Sequence, residues 1–486
     1  MRDNNSFRKH ARPSWNGCKP TSRKLLELLQ FNMGSTLQAL ISNNTAPTAA
    51  PLHELGPGRR KNMKFSKFAR ATVTAAVSLG VAASFTACGP NGTDNTVDYV
   101  FVISSKNNPG QIDAYKLDYQ SGSLLRVGAA YSSGGSDPTG LVTSPNFQNL
   151  YVVNRGTNQI VQFAIGSGAS LTQKNAYQTP GSSPNAVAIN TAGTLLFVTD
   201  TYQPQYSAAN PGTGALVVYP INSDGSLGTA VANGSLSYFP LTTDTSEVLT
   251  PTAVNAVTQN PVNSTTTGPS LVYVVAQNAT TGLGSIVSFS VGTGGALTPV
   301  PCSSSAAICG SNGDGTYNAG TAPNAIASTP RGLFLYVTDS LNNQLISYTV
   351  QSSGQIIPSQ NGPTRTDVYP DGVTVDPRGE YIYVANYNAK DVSAYTINPG
   401  TGYPTGVAAA GTYLASTGPT CILVEPSLGR FVYTTNFLDA SVSGFNLDPN
   451  TGTLTAVPNT PFLASGQPTC MAAVPYGNHA ISTPVT

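Results

Sequence analysis

Seven residues of similar chemistry recur in this sequence, each directly after a proline: Thr139, Asn185, Thr252, Asn324, Asp371, Thr420 and Thr469. All are small and polar, and only Asp371 is charged. Side chains of this kind cap turns and satisfy strand-end amides, which is their ordinary use. Gathered in a ring they would instead line a binding site, with Asp371 as the sole anionic ligand for a cation; no other cofactor is indicated. Acid–base groups are otherwise scarce. Beyond residue 88 there is one histidine, His479, and three glutamates, Glu247, Glu380 and Glu425. Arg155 directly follows Asn154 and is a candidate for the same site, although its ordinary reading is a solvated loop arginine. No Cys/His/Glu set has zinc spacing, and no glycine-rich phosphate loop leads from a strand into a helix. A Ser-His-Asp arrangement would have to use His479.

The elements that would position these residues repeat. The stretch Tyr381 to Ile397 reads as two strands joined by a tight polar connection. A two-stranded hairpin is barely stable alone and needs copies of itself to cover its faces. Its first-strand aromatic recurs at Phe101, Tyr151, Phe197, Tyr273, Tyr336, Tyr383 and Tyr433, at intervals of 50, 46, 76, 63, 47 and 50 residues. The second-strand aromatic recurs at Tyr115, Phe163, Tyr219, Phe289, Tyr348, Tyr395 and Phe445. A proline-led apolar run precedes each repeat, at Pro138, Pro184, Pro251, Pro323, Pro370 and Pro419, with a seventh at Pro468 near the end. Gly-x-Leu turns follow several second strands, as at Gly122, Gly225, Gly295 and Gly452. The reading is an all-β, seven-bladed β-propeller of four-stranded antiparallel blades spanning residues 98–475. The chain starts and stops in mid-repeat, so its last strand is expected to pair with the N-terminal blade and close the ring. Three residues after the first-strand aromatic stands Asn154, Asp200, Asp339, Asn386 or Asn436. Recurrence in five blades marks these as architecture, since an active site is needed once.

Tyr336-Val-Thr-Asp339, Tyr383-Val-Ala-Asn386 and Phe197-Val-Thr-Asp200, with the proline-led strands and Gly-x-Leu turns, resemble the YVTN repeat of lactonase-like seven-bladed propellers. That family includes 6-phosphogluconolactonase relatives. The resemblance implies a propeller with a site at one channel mouth, built in lactonase and cycloisomerase relatives from His, Arg and Glu. No catalytic histidine can be matched here.

Charge is uneven along the chain. Residues 1–87 hold 13 Lys/Arg against 3 Asp/Glu, and residues 88–486 hold 10 against 19. Met63 to Cys88 has a basic start (Lys64, Lys67, Arg70), an apolar stretch too short to span a bilayer, and a Phe-Thr-Ala-Cys end resembling a bacterial lipobox. This predicts a signal peptide over 63–87, lipidation of Cys88, a tether over 88–97 and an exported, lipid-anchored protein of the outer membrane or periplasm; Gly89 favours the outer membrane. Residues 1–62 then read as a mis-assigned or disordered extension, and 476–486 as a tail. Nucleic acid has little place as a partner of an exported chain.

Cysteine usage agrees with export. Cys302 and Cys309 flank a short inserted loop and are expected to pair locally. Cys421 and Cys470 stand at equivalent positions of neighbouring proline-led strands, where a bond would pin the closing strand if the geometry allows. The inserted segments 202–214, 233–250 and 260–268 have the composition of solvated decoration. With acid–base groups so sparse, the leading expectation is a monomeric, non-enzymatic platform for an envelope protein or polysaccharide. The alternative is a lactonase-type hydrolase acting on a sugar lactone.

Overall fold

The computed structural model describes residues 95–476 apart from 245, 261–266, 303–308, 310–314 and 408–410. The expectations for residues 1–62, the signal segment, Cys88 and His479 lie outside the described residues. The tether is described only from residue 95, and Thr96 already opens the first strand.

Seven antiparallel sheets form the propeller. The fifth blade shows the plan. Pro370–Val375 lies innermost, followed outwards by Tyr381–Asn386 and Asp391–Ile397. The outermost position is split between Pro404–Gly406 and Thr412–Leu414. Five of the seven sheets have an outer strand broken in this way, which leaves no long flat edge for another chain to extend. Each second strand is covered on both faces by neighbouring blades. It therefore reads as a continuous buried run, as in Tyr381–Asn386, rather than as an alternating one. Between the fifth and sixth blades, Tyr381, Tyr383 and Val392 pack against Ile422, Val432 and Phe445.

The last strand, Pro468–Pro475, takes the innermost place beside Thr96–Ser104 and closes the ring. We number blades from the one led by Pro138; the closing blade is the seventh.

The repeated aromatics are staples as well as core. Tyrosines of the second strands donate their hydroxyls forward to a turn carbonyl of the next blade: Tyr151 to Gly225 (2.7 Å), Tyr273 to Gly354 (3.1 Å), Tyr336 to Gly402 (2.9 Å), Tyr383 to Gly452 (3.0 Å) and Tyr433 to Gly122 (2.6 Å). Tyrosines of the third strands reach back to the preceding blade: Tyr115 to Leu463 O (2.6 Å), Tyr348 to Asn318 O (2.6 Å) and Tyr395 to Arg365 O (2.8 Å). The turn residue must be glycine. Gly452 has φ +72°, and a Cβ there would fall 2.3 Å from the Tyr381 ring.

Two disulfides are present, Cys302–Cys309 and Cys421–Cys470. The second joins the innermost strands of the sixth and closing blades. Disulfides belong to a non-cytoplasmic, oxidising compartment. No helix among the described residues is long and apolar enough to cross a membrane.

Candidate active site at the channel mouth

The innermost strands start at one face of the ring, and every one starts with a bulge. Each proline pairs with the Asn, Asp, Ala or Ser at or near the end of the second strand, and the register then slips. The residue after the proline is passed over in every blade, in turn Thr139, Asn185, Thr252, Asn324, Asp371, Thr420 and Thr469, together with Ala325 in the fourth and Cys421 in the sixth. A bulge re-aims its side chain out of the plain alternation, and six of the seven reach a neighbouring blade while Thr252 stays with its own. The residue that follows is small in every case: Gly140, Ala186, Ala253, Ala325, Gly372, Cys421 and Cys470. Close approach demands it. A Cβ on Gly372 would sit 2.0 Å from the Thr420 carbonyl oxygen.

The seven polar groups bond mostly to one another's blades. Thr139 Oγ1 donates to Pro184 O (3.4 Å), Thr420 Oγ1 to Thr469 O (3.4 Å) and Thr469 Oγ1 to Pro138 O (2.8 Å). Asn185 Nδ2 donates to Pro251 O, and Asn324 Nδ2 to Asp371 Oδ1 at 2.8 Å. Thr252 turns back to Val275 O in its own blade (3.4 Å). The result is a girdle of blade-to-blade hydrogen bonds, a use that turn and strand-end capping does not describe. Asp371 receives a bond from the fourth blade. As a carboxylate it has no proton to pass on to the sixth.

Asp371 is the chemically distinct member. Its surface keeps some contact with solvent, although protein surrounds it densely, as for a group lining a narrow channel. Burial pushes its pKa up to about 6, against the opposing effect of the Asn324 amide. A carboxylate so placed is ionised at neutral pH yet basic enough to take a proton. The scarcity of histidine therefore does not leave the mouth without a base.

Arg155 stands at the rim on the first blade. Its Nε donates to Asp137 Oδ2 at 2.7 Å, and its backbone N–H to Asp137 O at 2.9 Å. Both side chains are partly exposed, which makes the pair energetically weak. The first blade stands three places from the fifth by the shorter way round, through the sixth and the seventh, so Arg155 and Asp371 stand on different sides of the ring.

The three glutamates serve elsewhere. Glu380 is partly exposed, 3.3 Å from Arg378, in a turn at the opposite face. Glu425 is fully buried in the matching turn of the sixth blade and accepts the N–H groups of Leu428 (2.8 Å) and Arg430 (2.7 Å). Glu247 is buried and accepts from Asn278 Nδ2 at 3.2 Å. The recurrent Asn/Asp positions are architectural. Asp339 accepts the N–H groups of Thr321 and Ala322 (3.1 and 3.0 Å), tying down the segment that enters its own innermost strand. Asn386 and Asn436 donate instead to side chains of the following strand.

Four clefts on the outer surface have volumes of about 300 to 360 Å³. The only acid lining any of them is Asp244, which is exposed. None offers a base of raised pKa, so the channel mouth is the stronger candidate.

The family model described as lactonase, 7-bladed beta-propeller, matches residues 99–235 and 310–424, together more than half of the chain. The chain belongs to this family. No curated protein matches it by sequence. Among solved structures, a provisionally named 6-phosphogluconolactonase from Bacteroides fragilis is 17% identical with a TM-score of 0.59, covering 79% of this chain and 99% of its own. The periplasmic gluconolactonase of Pseudomonas aeruginosa is 18% identical with a TM-score of 0.57, over 78% of this chain and 99% of its own. A Lactobacillus plantarum protein is 16% identical, with a TM-score of 0.57 and the same coverage. At these identities the likeness is one of fold. Membership of the lactonase family overturns the expectation of a non-enzymatic platform. That expectation rested on the missing histidine, whose role at the mouth a carboxylate of raised pKa can fill.

Proposed function

We propose that this protein is an exported lactonase-type hydrolase that opens a sugar lactone at the channel mouth. The family match carries this reading, and Asp371 supplies it with a base. Asn324 holds the Asp371 carboxylate by its amide. The carboxylate takes a proton from a water molecule as the water oxygen bonds to the lactone carbonyl carbon. The ring C–O bond then breaks, and its oxygen receives the proton to give the open hydroxy acid. Arg155, whose terminal nitrogens have no other partner among the described residues, is assigned to the polar side of the substrate. The protein acts as a monomer, anchored at the outer membrane through lipidated Cys88.

The test is hydrolysis of a panel of sugar lactones by the purified protein, with Asp371→Asn and Arg155→Ala beside it. Turnover above the spontaneous rate that disappears in Asp371→Asn supports the reading. Rates equal to the spontaneous ones across the panel would sink it.

A further inference from the structure

The mouth is not uniform, and its asymmetry bears on what it binds. Two positions per blade border it: the residue before the proline, and the residue after the second strand. In most blades these are small or polar, as in Ser183, Thr250, Ala322, Ser105 and Ser340. The fifth and sixth blades differ, with Tyr369, Tyr387 and Phe437 at these positions. Tyr369 and Tyr387 meet at 5.9 Å between ring centroids, tilted by 56°. The Tyr387 N–H donates to Tyr369 O at 2.8 Å. Tyr369 adopts φ +61°, the turn conformation that Asp137, Ser183 and Gly418 share at the same place in their blades, and its own N–H is held by Asn343 Oδ1 at 2.8 Å.

The next blade extends the surface. Gly418 has φ +72°, and a Cβ there would lie 3.0 Å from Leu438 Cγ and 3.1 Å from Tyr387 Cε2. Tyr387 and Leu438 therefore flank a floor of bare backbone. Leu438 is 54% exposed, so this apolar surface faces solvent. Asp371 follows Tyr369 by two residues, and its charge is one cause of the raised Tyr387 pKa, after burial. The nearby cation Lys390 interacts with Asp439, and Arg155 is tied to Asp137 on the first blade. Arg155 keeps free terminal nitrogens but stands three blades from Tyr387 and Asp371.

We propose that Tyr387, Tyr369 and Leu438 form a stacking shelf beside Asp371 for the apolar face of an uncharged sugar ring, so that the substrate is an unphosphorylated lactone. This rests on the hydrolase reading. Tyrosine suits the task, since it presents an apolar ring and a polar tip. A phosphorylated ring stacked here would bring two negative charges next to the Asp371 carboxylate, with Lys390 already beside Asp439 and Arg155 three blades away.

Two measurements separate this inference from the hydrolase reading. The first is steady-state hydrolysis of glucono-δ-lactone and its 6-phosphate. The second is calorimetric binding of gluconolactam, a non-hydrolysable ring analogue, and of its 6-phosphate. The unphosphorylated compounds should be preferred at least tenfold. Tyr387→Ala should raise KM and weaken lactam binding about three- to tenfold, with kcat changed less. Tyr387→Phe should restore most of the affinity, and Leu414→Ala on the outer rim serves as a control. Equal or better use of the phosphorylated compounds, no lactam binding, or a Tyr387→Ala variant that binds normally would overturn the shelf. If turnover in those cases still needs Asp371, the hydrolase reading stands. Lactam binding that depends on Tyr387, with no lactone hydrolysed, supports the shelf and removes the hydrolase.

Discussion

Asp371 at the mouth and Asp98 at the closing seam are both carboxylic acids enclosed by this ring, in contrasting settings. Asp98 lies at the opposite face, fully buried between the closing and sixth blades, against Glu425. It accepts from Ser427 Oγ at 2.5 Å. Burial and the neighbouring Glu425 push its pKa up to about 9, so at neutral pH it keeps its proton; burial raises the Glu425 pKa as well, against the opposing effect of its hydrogen bonds from Asp98 and the backbone. Asp371 is raised only to about 6 and keeps access to solvent. One acid is a sealed hydrogen-bonding group of the fold, and the other can exchange a proton with a substrate. What separates their roles is whether water reaches them, since burial raises both.

The contrast can be broken most sharply at Asp371. Asp371→Asn keeps the size and the contact with Asn324 but removes the base. It should lower kcat by about 10²- to 10⁴-fold, with a melting temperature close to that of the parent. A matched loss of stability would mean that Asp371 belongs to the fold, as Asp98 does. The pH profile gives the same test without mutation. The base must be ionised, so kcat/KM should fall as the pH drops through about 6 and level off above about 7. A profile flat from pH 5 to 8 would remove Asp371 from the reaction.

The seam is probed next by its covalent link. Cys421 and Cys470 are 49 residues apart, against 7 for Cys302 and Cys309. In the chain-entropy view, removing the first bond by paired serine substitutions should cost about 4 kcal/mol and removing the second about 2. Denaturant unfolding measures both. Equal losses would show that closing the ring adds nothing beyond local bridging.

Asp98→Asn is the most specific change. The native Asp98 holds a proton that the unfolded chain releases near pH 4. Its contribution to stability is therefore full below about pH 4 and shrinks as the pH rises towards 9, by at most about 1.4 kcal/mol per unit. The variant should melt higher than the parent at pH 8, show a flatter stability profile between pH 5 and 9, and retain the parent's activity. A variant less stable at pH 8 would contradict a neutral Asp98.

The architecture was legible in the sequence because its marks repeat. Seven prolines and two aromatic series set the blade count, and the unpaired last strand announced closure. The recurring residue after each proline was visible as well, but not its bulge or its bond to a neighbouring blade, because most of the partners are backbone carbonyls and carry no sequence signature. Asp371 stood out as the one charge in its series; its raised pKa depends on enclosure by the other blades. Tyr369 and Tyr387 went unnoticed because they lie outside the aromatic repeats, in positions that most other blades fill with small or polar residues. Asp98 and Glu425 are brought together only by closure, from near the two ends of the propeller sequence. A search for aromatics that break the blade pattern would have found the shelf.

The position of Thr96–Ser104 has a mechanical consequence. This strand is not at an edge. It is bonded along its length to Gln111–Asp118 on one side and to Pro468–Pro475 on the other. A pull on the chain ahead of Thr96 therefore loads both ladders in shear, with many hydrogen bonds sharing the force at once, rather than peeling them apart one at a time. A protein tethered from that end meets tension at one of its most resistant points.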